Sequence, residues 1–283
     1  MTDHSVLDMS NEKDILPSVS GFAKQRLSTP SHLGDEHLAG LWKSTLVRDL
    51  LWTTGEIFAR PRKWRAPSWS WASISTGSFR EKTLQMNEFI EEQFAEISEA
   101  VCILAGPDPT GVLESGHLIL TSPLVPATLH YWTLPEGYKR NRGNVSLIAY
   151  PQCRVVIDEV WYRVMLDYPV WEDGIGHVDD KTTVFLFLIG ANRERWLPDF
   201  PHFGLSLQCL VLKSASGLED AYERVGLVTV SAECVAHEPL IPSQTREIDK
   251  DSDQMGRDPY GKTYSGHNAA RGIRSLTTRW RQC

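Results

Sequence analysis

The chain has 283 residues, of which 41% are hydrophobic and 23% charged, and its formal net charge is -7 at pH 7. A chain of this length and composition can bury its own core, and its acidic balance gives no electrostatic case for binding nucleic acid. The five cysteines are an odd number without a C-x-x-C pair, which argues against a disulfide framework and a structural zinc site.

The sequence also predicts a compartment. The N-terminal stretch MTDHSVLDMSNEKDILPSVS lacks the basic region and apolar core of a secretory signal. No apolar run approaches the roughly 20 residues of a membrane-spanning helix, since the best run, 184–189, has only the length of a strand. We therefore expect a soluble, intracellular, cytoplasmic protein without membrane contact.

The N-terminal part of the chain predicts helices. Residues 20–26 fit a short helix that ends at a Ser-Thr-Pro-Ser loop signal. Residues 35–52 carry an apolar stripe with spacings of three, four and one, which predicts an amphipathic helix. The stripe consists of Leu38, Leu41, Trp42, Leu46, Leu50 and Leu51. Residues 84–95 predict a second helix, whose apolar face consists of Met86, Phe89, Ile90 and Phe94.

From about residue 96 the apolar period changes to two, which predicts strands. The predicted strands are 96–104, 112–120, 127–132, 145–149, 153–157, 183–189, 205–213 and 221–230. Short helices followed by a mainly antiparallel β domain, sandwich or barrel-like, give the class α+β. The predicted organisation is a helical remnant at 1–34, two helices with a Trp-rich loop at 35–95, the β domain at 96–242 and a disordered tail at 243–283.

Sequence motifs that identify a reaction are absent. There is no phosphate loop, dinucleotide fingerprint, nucleophile elbow or zinc helix. Ser68 and Ser70 have no histidine nearby in sequence to act as a base, so we expect their hydroxyls to bond loop backbone. Asp158 and Glu159 end an apolar strand, where one exposed side chain and one turn cap are expected rather than acid–base chemistry. The sequence thus predicts no enzyme, catalytic residue or cofactor.

The loop WEDGIGHVDD leaves two interpretations open. Its His177, Asp179 and Asp180, together with Glu172 and Asp173, offer ligands for a cation. Acidic residues in a Gly-containing loop are more often simply solvated. We favour the solvated loop and predict no metal.

A basic cluster interleaved with tryptophans also has two interpretations. The residues are Arg60, Arg62, Lys63 and Arg65, with Trp64 and Trp69 among them. Stacking of single-stranded nucleic acid needs such residues, but on an acidic chain we favour cation–π packing of arginine on tryptophan within one fold.

Five of the ten tryptophans fall between residues 42 and 71. Clustered tryptophans usually form an interior wedge, so we expect Trp69 and Trp71 to be buried in a clamp between the helix 35–52 and the β domain. The alternative is an exposed aromatic platform that binds a sugar.

Four stretches of sequence resemble one family. DEHLAGLWKSTLVRDLLW (35–52) and RPRKWRAPSWSWAS (60–73) resemble the segment that follows the HET domain in fungal heterokaryon-incompatibility proteins, and GLEDAYERVGLVTV (217–230) resembles its late YERVG strand. LPSVSGFAKQ (16–25) is similar to the family's LPALSGLAK. The residues that carry the resemblance are Gly40, Leu41, Trp42, Leu50, Leu51, Trp52, Arg65, Pro67, Trp69, Trp71, Tyr222, Arg224 and Gly226. His37 stands where the family usually has tyrosine, and Val47 where proline is common.

The resemblance implies a function. In the family, the TIR-like HET domain is thought to trigger cell death when incompatible cells fuse, and its motifs ALSYCWG and WIDALCINQ do not occur here. We therefore expect the C-terminal region of such a protein without its effector domain, either truncated or free-standing. Its expected role is non-enzymatic regulation or interaction, with a protein or the HET domain as partner. The alternatives are a carbohydrate-binding β domain that uses Trp69 and Trp71 and, least favoured, a nucleotide-consuming enzyme.

Overall fold

The computed structural model describes residues 14–54, 57, 59–75, 84–85, 90–132, 152–172, 176–195, 203–215, 218, 220–231 and 275–280. The α-helices in these ranges are α1 (Ile15–Leu27) and α2 (Leu46–Asp49). The strands are β1 (His37–Leu38), β2 (Leu41–Trp42), β3 (Thr53–Thr54), β4 (Leu84–Gln85), β5 (Glu92–Gln93), β6 (Glu96–Leu104), β7 (Leu113–Trp132), β8 (Gln152–Ile157), β9 (Val160–Leu166), β10 (Thr183–Arg195), β11 (Phe203–Ser214), β12 (Tyr222–Ser231) and β13 (Ser275–Trp280). Short helices and antiparallel strands confirm the predicted α+β class.

Six of the strands close into a barrel. Antiparallel pairing runs from β7 through β8, β9, β12 and β11 to β10. β10 then pairs back onto β7, where Thr183 lies opposite Thr128, and this completes the cycle. Of the two predicted β architectures, the structure has the barrel-like one.

β7 is the longest strand and joins two predicted ones, 112–120 and 127–132. Its first half pairs with β6 and β13, and its second half pairs with the barrel strands β8 and β10. A break was expected because Pro123 and Pro126 cannot donate to a ladder. The strand nevertheless continues through both prolines, which lie in register with Ser275 and Phe185.

The remaining strand predictions have mixed outcomes. Those for β6, β8, β10, β11 and β12 are confirmed, whereas 145–149 lies outside the described residues. β9 was not predicted, because Asp158 and Glu159 were taken as the end of a strand. Both have positive φ, 46° and 68°, and form a two-residue hairpin turn. Both are exposed turn residues, as expected for at least one of them.

The helix predictions are confirmed at one place only. The predicted helix 20–26 lies inside the longer α1. The predicted helix 35–52 is wrong, because a β1–β2 hairpin turns through Ala39 and Gly40 before the single turn of α2 begins. Ala39 and Gly40 have φ of 50° and 90°, which a right-handed helix does not allow. The residues of the apolar stripe are buried as expected, but the backbone that carries them is irregular rather than helical.

The predicted helix 84–95 is also wrong where the structure describes it. β4 pairs with β3, and β5 pairs with β10. Phe94 donates its backbone N–H to the carbonyl of Ile189 in β10, so this stretch runs along the barrel as extended chain. Residues 86–89 lie outside the described part.

The predicted disordered tail, 243–283, falls mostly outside the described residues. Within it, β13 pairs with β7, so these six residues differ from the prediction. In the part of the chain that the structure describes, no helix has the length and apolar character needed to cross a membrane.

One hydrophobic cluster joins the N-terminal residues to the barrel. β9 alternates between buried and exposed residues, as expected for a strand with one face exposed to solvent. Residues 206–212 of β11 are all buried, so the barrel is covered on its outside there. The motif-bearing segment 37–75 is tied by hydrogen bonds to the start of β12, next to this covered region.

Candidate functional site

Three of the sequence motifs meet around Arg224, which lies in β12 with a fully buried side chain. Its Nε donates to Oδ2 of Asp167 at 2.8 Å, and its Nη2 donates to Oδ1 of Asp167 at 3.0 Å. Asp167 follows β9 and is buried as well. The two residues form a bidentate ion pair inside the protein. We call Trp52, Ser68, Trp69, Asp167 and Arg224 the motif junction.

The other donors of Arg224 bind main-chain carbonyls. Nη1 donates to the carbonyl of Leu50, and Nη2 donates to the carbonyl of Trp52 at 2.6 Å. These carbonyls follow α2, where a helix leaves acceptors without intrahelical partners. The guanidinium also lies 3.7 Å from the centroid of the Trp52 ring, a cation–π contact. Arg224 thereby ties the end of the LLW motif to the barrel.

Burial opposes the charge on both members of the ion pair. It raises the pKa of the Asp167 carboxyl, a rise that the neighbouring guanidinium counteracts. It also lowers the pKa of Arg224, which the carboxylate counteracts. The hydrogen bonds from the guanidinium to the carboxylate and to the carbonyls favour the charged form of both groups. Such a pair fixes geometry, since removal of either partner leaves a buried charge uncompensated.

The SWSW loop joins the same junction. Trp52 donates its Nε1 hydrogen to the carbonyl of Trp69 at 2.8 Å, so the two tryptophan motifs are linked directly. Ser68 accepts a hydrogen bond from the backbone N–H of Arg224 through its Oγ, at 3.2 Å. The loop therefore contacts both the LLW segment and the YERVG strand.

Ser70 and Trp71 hold the β1–β2 turn. The hydroxyl of Ser70 donates to the carbonyl of Ala39 at 2.6 Å, and Trp71 donates its Nε1 hydrogen to the carbonyl of Gly40 at 3.0 Å. A Cβ on Gly40 would lie 2.7 Å from Nε1 of Trp71, closer than real side chains approach. Gly40 is thus required both by its backbone conformation and by the indole packed on it.

Arg65 and Pro67 shape the loop from within. The Nε of Arg65 donates to the carbonyl of Ala72 at 2.7 Å, and its Nη2 donates to the carbonyl of Ile74. Pro67 packs on β7 at Gly116, where a Cβ would lie 2.7 Å from the proline Cγ. These hydrogen bonds close the loop on itself.

Arg60, another member of the basic cluster, forms a cation–π contact with Tyr168 rather than with a tryptophan, at 4.1 Å. Its Nη1 donates to Oε2 of Glu223 at 3.1 Å, and its Nη2 donates to the carbonyl of Arg224 at 2.9 Å. Arg62 and Lys63 are exposed. The cluster therefore divides into structural and solvated members.

Tyr222 and Gly226 flank Arg224 in the YERVG motif. Tyr222 is half-buried and meets the ring of Phe185 edge-on at 5.3 Å. A Cβ on Gly226 would lie 2.3 Å from the carbonyl oxygen of Met165, so β12 approaches β9 closely there. This close approach explains the glycine in the motif.

The burial predicted for the central tryptophans is confirmed. Trp69 is 1% exposed and Trp71 is 4% exposed, and Trp42 and Trp52 are buried as well. The sugar platform proposed for Trp69 and Trp71 is therefore not formed. Trp64 differs from the others because 36% of it is exposed.

The remaining candidates show no reactive arrangement. The hydroxyls of Ser68 and Ser70 bond backbone atoms, as expected. His177 bonds Asp179 at 3.1 Å, and no group of three or more potential metal ligands occurs among the residues that the structure describes.

Sequence reasoning missed Asp167, the acid that completes the junction. It is the acidic residue directly after the alternating run 160–166. That alternation was obscured because Asp-Glu is not one of the Asn-Gly or Asp-Gly pairs that usually identify a two-residue hairpin turn.

No protein-family model, curated protein or solved structure matches this chain. The HET-type assignment therefore stays a prediction from the quoted motifs.

Proposed function

We propose that the chain is a cytoplasmic, non-enzymatic regulatory or interaction region of a fungal HET-type heterokaryon-incompatibility protein, and that it acts on a protein partner. One observation carries the proposal. The residues on which the resemblance rests are not scattered, because Arg224 donates to the carbonyls of Leu50 and Trp52, and Trp52 donates to the carbonyl of Trp69. A resemblance whose residues depend on one another in space is supported as a shared fold.

The chemistry of the junction supports a structural role. The guanidinium of Arg224 is fully engaged by Asp167, by two carbonyls and by an aromatic ring. The hydroxyls of Ser68 and Ser70 are used in the same way by backbone atoms. A general acid, base or nucleophile needs a free lone pair or proton that faces substrate, and these groups are all turned inward.

Expression in a filamentous fungus tests the proposal. The chain is produced in hyphae together with a separately encoded HET domain at a level that kills the cells. We expect the chain to lower the fraction of dead compartments, measured by Evans blue staining, by several-fold. A regulatory region that binds its effector in trans would have this effect.

Two variants serve as controls. Arg62→Ala changes an exposed residue and should act as the unchanged chain does. Arg224→Leu removes the centre of the junction and should weaken the effect, because it destabilises the fold. An accumulated, folded chain that leaves the dead fraction unchanged would contradict the proposal. Turnover of NAD by the purified chain would contradict its non-enzymatic part.

A further inference from the structure

A different part of the barrel presents an open face to solvent. In antiparallel pairs, residues directly opposite each other share a face, so the register of β7, β8 and β9 defines a small array. One row is Thr128, Val156 and Trp161; the next is His130, Arg154 and Arg163; the third contains Trp132 and Gln152, with Met165 beside them on β9. We call these nine residues the outer face.

The outer face is apolar at two corners. Trp161 is 52% exposed and Met165 is 42% exposed, although both sit on a regular strand whose other face is buried. Trp, Met and Arg are residue types enriched in protein–protein interfaces. All three occur here together, which distinguishes this face from a wall that is merely hydrated.

A basic row crosses the middle of the face. Arg154 lies opposite Arg163 in the register, so like charges meet across these two strands, and it lies opposite His130 on its other side. Like charges in directly opposite positions destabilise a sheet. Neither arginine forms an ion pair with any residue that the structure describes. Within the described ranges, this row therefore has no carboxylate that neutralises it.

The aromatic rings hold this basic row in place. The guanidinium of Arg154 lies 3.6 Å from the centroid of the Trp132 ring. The ring of His130 meets Trp161 edge-on at 5.0 Å. Stacking restricts the side chains before any ligand arrives, so less conformational entropy is lost on binding.

The charge of the face differs from that of the whole chain. None of the nine residues is acidic, whereas the chain carries a net charge of -7. A polyanion is disfavoured because one histidine and two arginines do not supply the groove that tracks several phosphates. A short acidic segment needs only this local contact, because charges beyond about 10 Å are screened at physiological salt.

We propose that the outer face is a docking site for an extended, acidic segment of a partner protein. Its carboxylates bind Arg154 and Arg163, and an apolar side chain next to them packs on Trp161 and Met165. Asp158 and Glu159 lie at the turn beside Trp161, and their carboxylates repel the acidic residues of the segment. The acidic end of the segment therefore lies towards Trp132. This inference rests on the proposal that the chain acts by binding a protein, and it names the surface and the partner chemistry.

Peptide display tests the docking site. A phage library of random twelve-residue peptides is selected on the full chain, and the enriched peptides are then measured by fluorescence anisotropy. We expect enrichment of Asp and Glu next to an aromatic or aliphatic residue. These peptides should bind at least tenfold more weakly to the double variant R154E/R163E and to Trp161→Ala, with the fold of each checked by circular dichroism.

The double variant R62E/K63E is the matched control, since it makes the same change of charge at exposed residues of another segment. Its peptide affinity should stay within twofold of the unchanged chain. Failure to enrich peptides, absence of acidic bias, or equal binding to R154E/R163E would each overturn the proposal. So would tighter binding of a labelled twelve-nucleotide thymidine strand or of cellohexaose than of any selected peptide.

The hyphal test separates this site from the proposed function. If acidic peptides bind the outer face but the chain leaves cell death unchanged, the docking site stands and the regulatory role falls. If R154E/R163E protects hyphae as well as the unchanged chain does, the regulatory role stands and this site is not its partner surface.

Discussion

The two sides of the barrel differ in how their outer surfaces are used. Residues 186–191 of β10 and 206–212 of β11 are buried in uninterrupted runs, whereas β9 alternates between buried and exposed residues. An uninterrupted run means that both faces of the sheet are covered. β5 and the following residues run along β10, and the motif junction seals the start of β12. We call this the covered side, and the side of β8 and β9 the open side.

The difference separates residues that specify the fold from residues available to a partner. On the covered side, polar groups have been taken out of water and depend on one another, so each change is costly. On the open side, aromatic and basic groups keep their contact with solvent, and their loss costs the fold little. The comparison therefore predicts an asymmetry in stability that mutation can measure.

The largest effect is expected on the covered side at Arg224. Replacement by Leu leaves the Asp167 carboxylate buried without a partner and removes the donors to the carbonyls of Leu50 and Trp52. The free energy of unfolding should fall by about 3–5 kcal/mol, measured by urea denaturation. The double variant R224L/D167L should lose less than R224L, because no unpaired charge remains. Equal losses would show that the carboxylate is not the source of the cost.

Two tryptophans compare the sides directly. Trp71→Ala empties a buried site on the covered side and should cost about 3–5 kcal/mol of unfolding free energy. Trp161→Ala removes the same side chain from the open side and should cost about 0.5 kcal/mol or less. Thermal denaturation of both variants measures the contrast. Similar melting temperatures would remove the distinction between the two sides.

Prediction from sequence did not follow the division into two sides. The covered strands β10, β11 and β12 were predicted, whereas β9 on the open side was missed although it alternates with the pleat. Continuous apolar runs carry no period, so the period alone does not distinguish a strand from a helix. A segment that is buried on all sides carries apolar residues at many spacings. The apolar stripe of 35–52 therefore matched the spacings of a helix although the segment is not one.

Part of the motif junction could be predicted from the sequence. Clustered tryptophans beside small residues predicted burial, and the burial of Trp69 and Trp71 follows from their size. The ion pair was not predictable, since Arg224 and Asp167 are brought together only by the pairing of β12 with β9. Long-range pairs of this kind follow from strand order, which one sequence does not encode locally.

A pH-dependent change in the free energy of unfolding is expected from His37 in the β1–β2 hairpin. Burial lowers its pKa from 6.5 to about 4, although the charge of Asp108 counteracts this. The unfolded chain therefore takes up a proton near pH 6.5 that the folded chain refuses until about pH 4. Stability due to this group is complete above pH 6.5 and falls as the pH is lowered through that window, by up to about 3 kcal/mol.

His37→Phe removes the titrating group and should flatten this part of the profile. Urea denaturation at intervals from pH 7 to pH 4 measures both chains, and the difference between them isolates His37 from other groups. A difference that stays constant across the window would exclude His37 as the cause.

Two glycines separate backbone strain from close packing on the covered side. Gly34 and Gly40 have similar φ, 86° and 90°, but only Gly40 has a neighbour, the Trp71 indole, in the way of a Cβ. Gly34→Ala should cost about 1–2 kcal/mol for its backbone conformation alone. Gly40→Ala should cost about 1–3 kcal/mol more, because the indole must move. Equal shifts in melting temperature would show that the indole yields freely.

The smallest effect, and the only gain, is expected on the open side. Arg163→Glu places a carboxylate opposite Arg154 and converts a repulsive cross-strand pair into an attractive one. The free energy of unfolding should rise by about 0.2–1 kcal/mol at low salt, and the gain should shrink at 1 M salt. Arg163→Gln, which removes the repulsion without adding attraction, should fall between the two. If the sheet becomes more stable when this exposed arginine is replaced, Arg163 is not needed for folding and is available for another role. If Arg163→Glu instead lowers the stability, Arg163 contributes to the fold, and the two sides do not differ in this respect.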